Sequence, residues 1–187
     1  MIWQRFARAA LRTCRWRVVG APPSTGIVVG APHTSNWDFV LMLVVMGAAG
    51  ARPRVLMKQE LFRGPLRWLL LRLGGIPVDR THPATVVRTL VRQARGDSSF
   101  LLVLAAEGTR RRTDHWKSGF YRIAQVTKLP ITLAFIDGPT RTAGFGPVLT
   151  PTGDVRADMD RVRAFYADKY GLRPALRSEP RLREEQG

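Results

Sequence analysis

Apolar positions in this chain fall into two kinds of segment that alternate. Short β-rich runs occupy Gly26–Gly30, Arg54–Lys58, Gly75–Val78, Ser98–Ala105, Pro130–Ile136 and Ala143–Thr150. The run SSFLLVLA at 98–105 is almost continuously apolar, without alternation, as expected of a strand buried on both faces. Between these runs lie stretches of helical character. They are Trp37–Ala49, Gly64–Leu73 with Pro65 at an early helical position, Pro83–Arg95 with Thr81 as its cap, Lys117–Lys128 and Arg156–Tyr170. This strand–helix rhythm predicts an α/β fold, a single layered domain whose mixed, largely parallel sheet is flanked by helices. Residues 1–20 read as a basic amphipathic helix and 21–172 as the domain. Residues 173–187, with Pro174, Pro180 and mixed charges, read as a loose tail.

Size and charge sharpen this picture. A chain of 187 residues suits one domain with a real core. Cys14 is the only cysteine, so no internal disulfide can form. The longest charge-free apolar run, Phe39–Ala51, has 13 residues, well short of the ~20 that span a bilayer. No apolar stretch follows a basic start in the manner of a secretory signal. The expectation is a cytoplasmic protein, soluble or lying on the inner face of the membrane. Thirty Lys plus Arg against fourteen Asp plus Glu give a net charge of +16, and only four of the thirty are lysines. Such a surface attracts nucleic acid, acidic lipid headgroups or phosphorylated substrates. No RNP, zinc-finger or helix-turn-helix signature supports nucleic acid as a partner. On a helical wheel Arg5, Arg8, Arg12 and Arg15 share one face, opposite Trp3, Phe6, Ala10 and Cys14. A basic face opposite an aromatic one suits an anionic bilayer interface; the alternative is that Trp3 and Phe6 pack on the domain's own core.

Three segments carry candidate chemistry, each just after an expected strand. In His33-Thr-Ser-Asn-Trp-Asp38 the histidine stands at a strand's carboxyl end, where open α/β sheets place their ligands. Asp38 follows five residues later, close enough to fold back onto the imidazole. A carboxylate on one ring nitrogen fixes the tautomer and raises the basicity of the other, which makes a general base for an alcohol. In Glu107-Gly108-Thr109-Arg110, the arginine offers a planar fork suited to phosphate and the glycine permits close backbone approach. In Gly74-Gly75-Ile-Pro-Val-Asp79-Arg80, Arg80 ends another short strand. Lys58 is a further basic candidate beside the substrate. His82 and His115 show no spacing characteristic of a metal site, and no metal is expected.

The order and spacing of these segments resemble the glycerolipid acyltransferase superfamily, which includes the lysophosphatidate acyltransferases. HTSNWD fits its HxxxxD motif, GGIPVDR its second block, EGTR its third, and Leu129-Pro130-Ile131 its fourth. The resemblance runs from about Gly26 to Ile136, over half the chain. It implies a glycerol-phosphate acyltransferase-like fold and direct acyl transfer without an acyl-enzyme. His33, oriented by Asp38, would deprotonate the hydroxyl of a lysophospholipid or glycerol phosphate. That hydroxyl would attack the thioester of acyl-CoA or acyl-carrier protein, a donor substrate rather than a bound cofactor. Arg80 and Arg110 would hold the acceptor phosphate, with Glu107, Gly108 and Thr109 shaping its pocket, in phospholipid biosynthesis or remodelling. Members often carry an N-terminal membrane-bound helical motif; only 25 residues precede Gly26. Two other readings compete: an acyltransferase for another lyso-lipid, and a non-catalytic basic protein that binds membrane or nucleic acid.

Overall fold

The computed structural model describes residues 2–79 and 82–186. Seven strands form one sheet: β1 (Arg17–Val19), β2 (Gly26–Ala31), β3 (Arg54–Lys58), β4 (Gly75–Val78), β5 (Leu101–Leu104), β6 (Ile131–Asp137) and β7 (Thr142–Leu149). Their order is β1-β7-β6-β2-β5-β3-β4. Every neighbouring pair is parallel except the β6–β7 hairpin. Among the described residues six α-helices flank the sheet: α1 (Ile2–Thr13), α2 (Asn36–Ala49), α3 (Leu66–Arg72), α4 (Pro83–Arg95), α5 (Gly119–Thr127) and α6 (Val155–Tyr166).

The winding decides which helix lies on which face. From β2 the chain steps outward to β3 and β4, then turns back through β5 to β6. Right-handed crossovers put the helices of the outward steps on one face and those of the return steps on the other. The core agrees. On the outward face Met46 of α2, Phe62 and Leu70 of α3 pack on Val28, Val55, Met57, Leu101 and Val103. On the return face Leu90 of α4, Phe120 of α5 and Tyr166 of α6 pack on Ile27, Val29, Leu102 and Leu133. Successive residues of β2 and β5 thus serve opposite faces, which explains why these strands are apolar without alternation.

Helix α1 belongs to the outward layer. Leu11 packs with Val45 of α2, and the Arg8 Nε donates to the Ala48 carbonyl at 2.9 Å. Gly47 permits the close approach: a Cβ there would lie 2.1 Å from the Trp3 indole nitrogen. The buried stripe is Ala7 and Leu11, while Trp3 and Phe6 stack on each other and stay largely exposed.

The expected fold class is borne out, with local corrections. The N-terminal helix stops at Thr13 rather than running to 20, because Arg15 turns left-handed (φ 55°) and Arg17–Val19 pairs with Thr142–Gly144 as an edge strand. The strand expected over 98–105 is confined to Leu101–Leu104. Asp97 captures the Ser99 amide and hydroxyl at 2.9 and 2.7 Å, making a local turn that competes with the sheet. The tail is not a loose end. Leu182 is buried, Arg163 pairs with Glu185 at 2.6 Å, and the Trp116 amide donates to the Arg181 carbonyl at 2.7 Å. Apolar anchoring and backbone pairing outweigh the polar, proline-bearing composition there.

Candidate active site

Strands β2 and β5 are parallel neighbours, yet the helices that follow them go to opposite faces. Their carboxyl ends therefore meet at a topological switch point, the place where such sheets bind ligands. His33 lies just beyond β2 and Glu107 just beyond β5. The two loops touch: the His33 backbone N–H donates to Glu107 Oε1 at 2.8 Å.

The His33–Asp38 geometry follows from how α2 begins. Ser35 is the N-cap, its hydroxyl accepting from the Trp37 amide at 3.2 Å, and Asp38 is the third helical residue of a capping box. Asp38 Oδ2 accepts from the amides of Thr34 and Ser35, each at 2.7 Å. The same oxygen lies 3.2 Å from His33 Nδ1. One carboxylate thus caps the helix and orients the imidazole. Asp38 is 4% exposed, whereas the His33 side chain is 22% exposed, so the ring remains open to a reactant. With Nδ1–H donated to Asp38, Nε2 keeps its lone pair free to accept a proton.

Glu107 is 2% exposed, and its Oε2 has no hydrogen-bond partner among the described residues. Burial pushes its carboxyl up to about 7, against the opposing pull of the His33 amide. Beneath it the Tyr166 hydroxyl lies 2.8 Å from the Val29 carbonyl and 2.9 Å from that of Ala134, tying α6 to β2 and β6. Burial, and then the Glu107 charge, push the Tyr166 phenol well above its ordinary value.

The next residues form an exposed loop. Gly108 takes φ +66°, a backbone shape that favours glycine, and the Thr109 hydroxyl accepts from the Arg111 amide at 3.2 Å. Arg110 is exposed.

A sequence model of the acyltransferase family matches residues 15–135, which include the His33–Asp38 pair and the Glu107–Arg110 loop. The chain belongs to the acyltransferase family. Its fold is also similar to the crystal structure of the 1-acyl-sn-glycerophosphate (LPA) acyltransferase, PlsC, from Thermotoga maritima. The TM-score is 0.62 at 18% identity, over 90% of this chain and 76% of that chain. No match was found among curated proteins. The resemblance drawn from the four segments is thereby borne out, and this acyltransferase is an enzyme of the acyl-transfer class.

Within the acyltransferase, the expected site residues divide. His33, Asp38 and Glu107 come together; Gly108, Thr109 and Arg110 extend from them along the surface. Glu107, grouped by sequence with the phosphate-binding residues, is buried and accepts the His33 backbone N–H. Arg80 and Thr81 lie outside the described residues. Lys58 is exposed at the end of β3. His82 Nδ1 lies 3.0 Å from Asp79 Oδ2, at the start of α4. Among the described residues, no helix is long and apolar enough to cross a membrane.

Sequence reasoning missed the supports of the site. The Thr34 hydroxyl, buried behind His33, accepts from the Arg173 amide at 2.9 Å, and the Ser178 hydroxyl accepts from the Thr113 amide at 2.9 Å. Both motif loops are therefore held by the C-terminal segment. Thr34 lay within a motif already singled out; nothing in the sequence pointed to Arg173, Ser178 or Tyr166 as supports of the site.

Proposed function

We propose that this enzyme transfers a fatty acyl group from the thioester of acyl-CoA or acyl-carrier protein to the hydroxyl of a lysophospholipid or glycerol phosphate, the lysophosphatidate type of O-acyl transfer used in phospholipid biosynthesis or remodelling. The observation that carries this reading is the 3.2 Å contact between His33 Nδ1 and Asp38 Oδ2 at the switch point of an acyltransferase sheet. His33 Nε2 takes the acceptor's hydroxyl proton as the oxygen attacks the thioester carbonyl. The tetrahedral oxyanion collapses, the carbon–sulfur bond breaks, and the proton passes from the imidazolium to the leaving thiolate. The products are the ester and a free thiol, and the enzyme returns unmodified. A thioester is already activated, so positioning and a base suffice without a covalent intermediate or a metal. Asp38, in contact with Nδ1, orients the ring and stabilises the imidazolium. Arg110 and Arg80 hold the acceptor phosphate through bidentate contacts that a lysine would reproduce only in part. The arginine-rich surface and α1 keep the protein at the inner face of the membrane, where such acceptors reside.

The test is thiol release from acyl-CoA that depends on added acceptor. His33→Ala should lower turnover by roughly 10²–10⁴-fold, the usual range for a general base. Arg110→Ala should raise KM for the acceptor and leave KM for the donor unchanged. Wild-type turnover in His33→Ala would end the mechanism.

A further inference from the structure

Helix α3 is anomalous for a protein in water. Its sequence is LRWLLLR, and none of its side chains is buried. With the preceding turn it displays Leu61, Leu66, Trp68, Leu69 and Leu71, and Trp68 is 67% exposed. Single exposed leucines need no explanation, but five large apolar side chains within eleven residues form a patch. The segment is not frayed. Phe62 is buried and Leu70 packs beside it in the outward core, so the turn is held while the remaining side chains point away.

We propose that Leu61–Arg72 is a membrane-docking element, separate from α1, that inserts into an anionic lipid surface and holds the carboxyl edge of the sheet against it. Three observations select this partner. Exposed Arg63, Arg67 and Arg72 interleave with the apolar residues, and the Arg72 guanidinium lies 5.3 Å from the Trp68 ring centroid. Leucine and tryptophan interspersed with arginine suit a bilayer interface, where the rings and chains sink and the guanidinium groups stay among phosphates. The charge of the whole layer agrees. α1, α2 and the segment 59–72 carry several exposed arginines, and their only exposed acidic residue is Glu60. Finally, exposed apolar residues concentrate in this layer. Of the fifteen large apolar residues exposed among the described residues, three lie on α1, two on α2 and five between Leu61 and Leu71.

Topology gives the patch its use. β2 and β3 run parallel on either side of β5, so their carboxyl ends share one edge of the sheet. His33 follows β2 there, and the turn that leads into α3 follows β3. The exposed Trp37, in the first turn of α2 and four residues beyond His33, lies at that same carboxyl edge. The assignment of a purpose to this contact, delivery of a membrane-resident acceptor, rests on the function proposed above; the contact itself does not.

The test uses the full chain and co-sedimentation with phosphatidylcholine vesicles, with and without phosphatidylglycerol. The triple substitution Leu66→Gln/Trp68→Gln/Leu69→Gln should lower partitioning onto the anionic vesicles by at least about tenfold, from lost apolar burial. Turnover on a detergent-dispersed acceptor should stay unchanged. Should that variant fail to fold by circular dichroism, Arg63→Gln/Arg67→Gln serves instead. It should lose several-fold on anionic vesicles and nothing on neutral ones. Undiminished binding in the variant that folds would overturn the proposal. So would light scattering that shows a wild-type dimer made monomeric by the same substitutions, since a second copy would then cover the patch. Loss of vesicle binding in an enzyme with no activity on any lyso-lipid would support the docking element while refuting the acceptor assignment.

Discussion

The two helical layers differ sharply in how much of their apolar sequence they bury. On the return face α5 buries Phe120, Tyr121, Ile123 and Ala124, and α6 buries Met159, Val162 and Tyr166. Aromatic rings interlock there: Phe165 and Tyr166 lie 4.8 Å apart edge to face, and Trp116 and Tyr166 5.6 Å. The tail closes over this side through Leu182 and Arg163. On the outward face α3 buries nothing, and α2, apolar along almost its whole length, buries only Val45, Met46 and Gly47 besides Asp38. One layer has been built to hold the fold together, whereas the other carries more apolar surface than its side of the sheet can cover. His33 and Glu107 meet where the layers diverge, so the reacting group is braced by the rigid side and faces the edge shared with the unfinished one.

A pair of substitutions tests this contrast most directly. Phe120→Ala should cost about 3–5 kcal/mol of stability, as expected for a fully buried ring. Trp68→Ala, a larger deletion, should stay within about 0.5 kcal/mol because its ring is already in solvent. Urea denaturation measures both; similar costs would erase the distinction between the layers.

The brace beneath His33 gives a pH-dependent effect. Glu107 titrates near 7 in the folded protein against 4.5 for an unperturbed glutamate. Between those values the folded state binds the extra proton, so this group's contribution is most favourable at low pH and is lost as pH rises toward and past 7. The loss amounts to as much as about 3 kcal/mol. Glu107→Gln keeps an acceptor for the His33 amide but cannot ionise. The wild type should therefore lose more stability than the variant between pH 5 and pH 8. Parallel pH profiles would mean that the carboxyl is not held in a desolvated state.

The smallest effect concerns the tail. Thr34→Val keeps shape but removes the oxygen that receives the Arg173 amide, at a cost of about 1 kcal/mol. A several-fold fall in kcat with little change in KM should accompany it, because the loop that carries His33 loses its tether. Unchanged kcat together with the expected loss of stability would make the tail a structural brace alone.

The features legible beforehand were local ones. Asp38 follows His33 by five residues, a spacing read as letting the carboxylate fold back onto the imidazole, and its Oδ2 does lie 3.2 Å from Nδ1. The near-continuous apolar run at Ser98–Ala105 announced a strand covered on both faces, and its core at Leu101–Leu104 has sheet neighbours on either side. Capping, turn chemistry and burial periodicity act over a few residues, so composition and spacing suffice to read them.

Everything that depended on remote chain segments was decided elsewhere. Arg17–Val19 is a strand because Thr142–Gly144 offers it an edge. The tail is ordered because Leu182 finds an apolar core and Arg163 a carboxylate. Glu107 turns inward because an unpaired amide at His33 lies within reach across the switch point, and burial then shifts its titration. Leu66, Trp68, Leu69 and Leu71 of α3 stay exposed because Phe62 and Leu70 already occupy its place on the sheet. A sequence states how much apolar and polar surface each segment brings; only the packed structure settles which of it finds a partner within the chain.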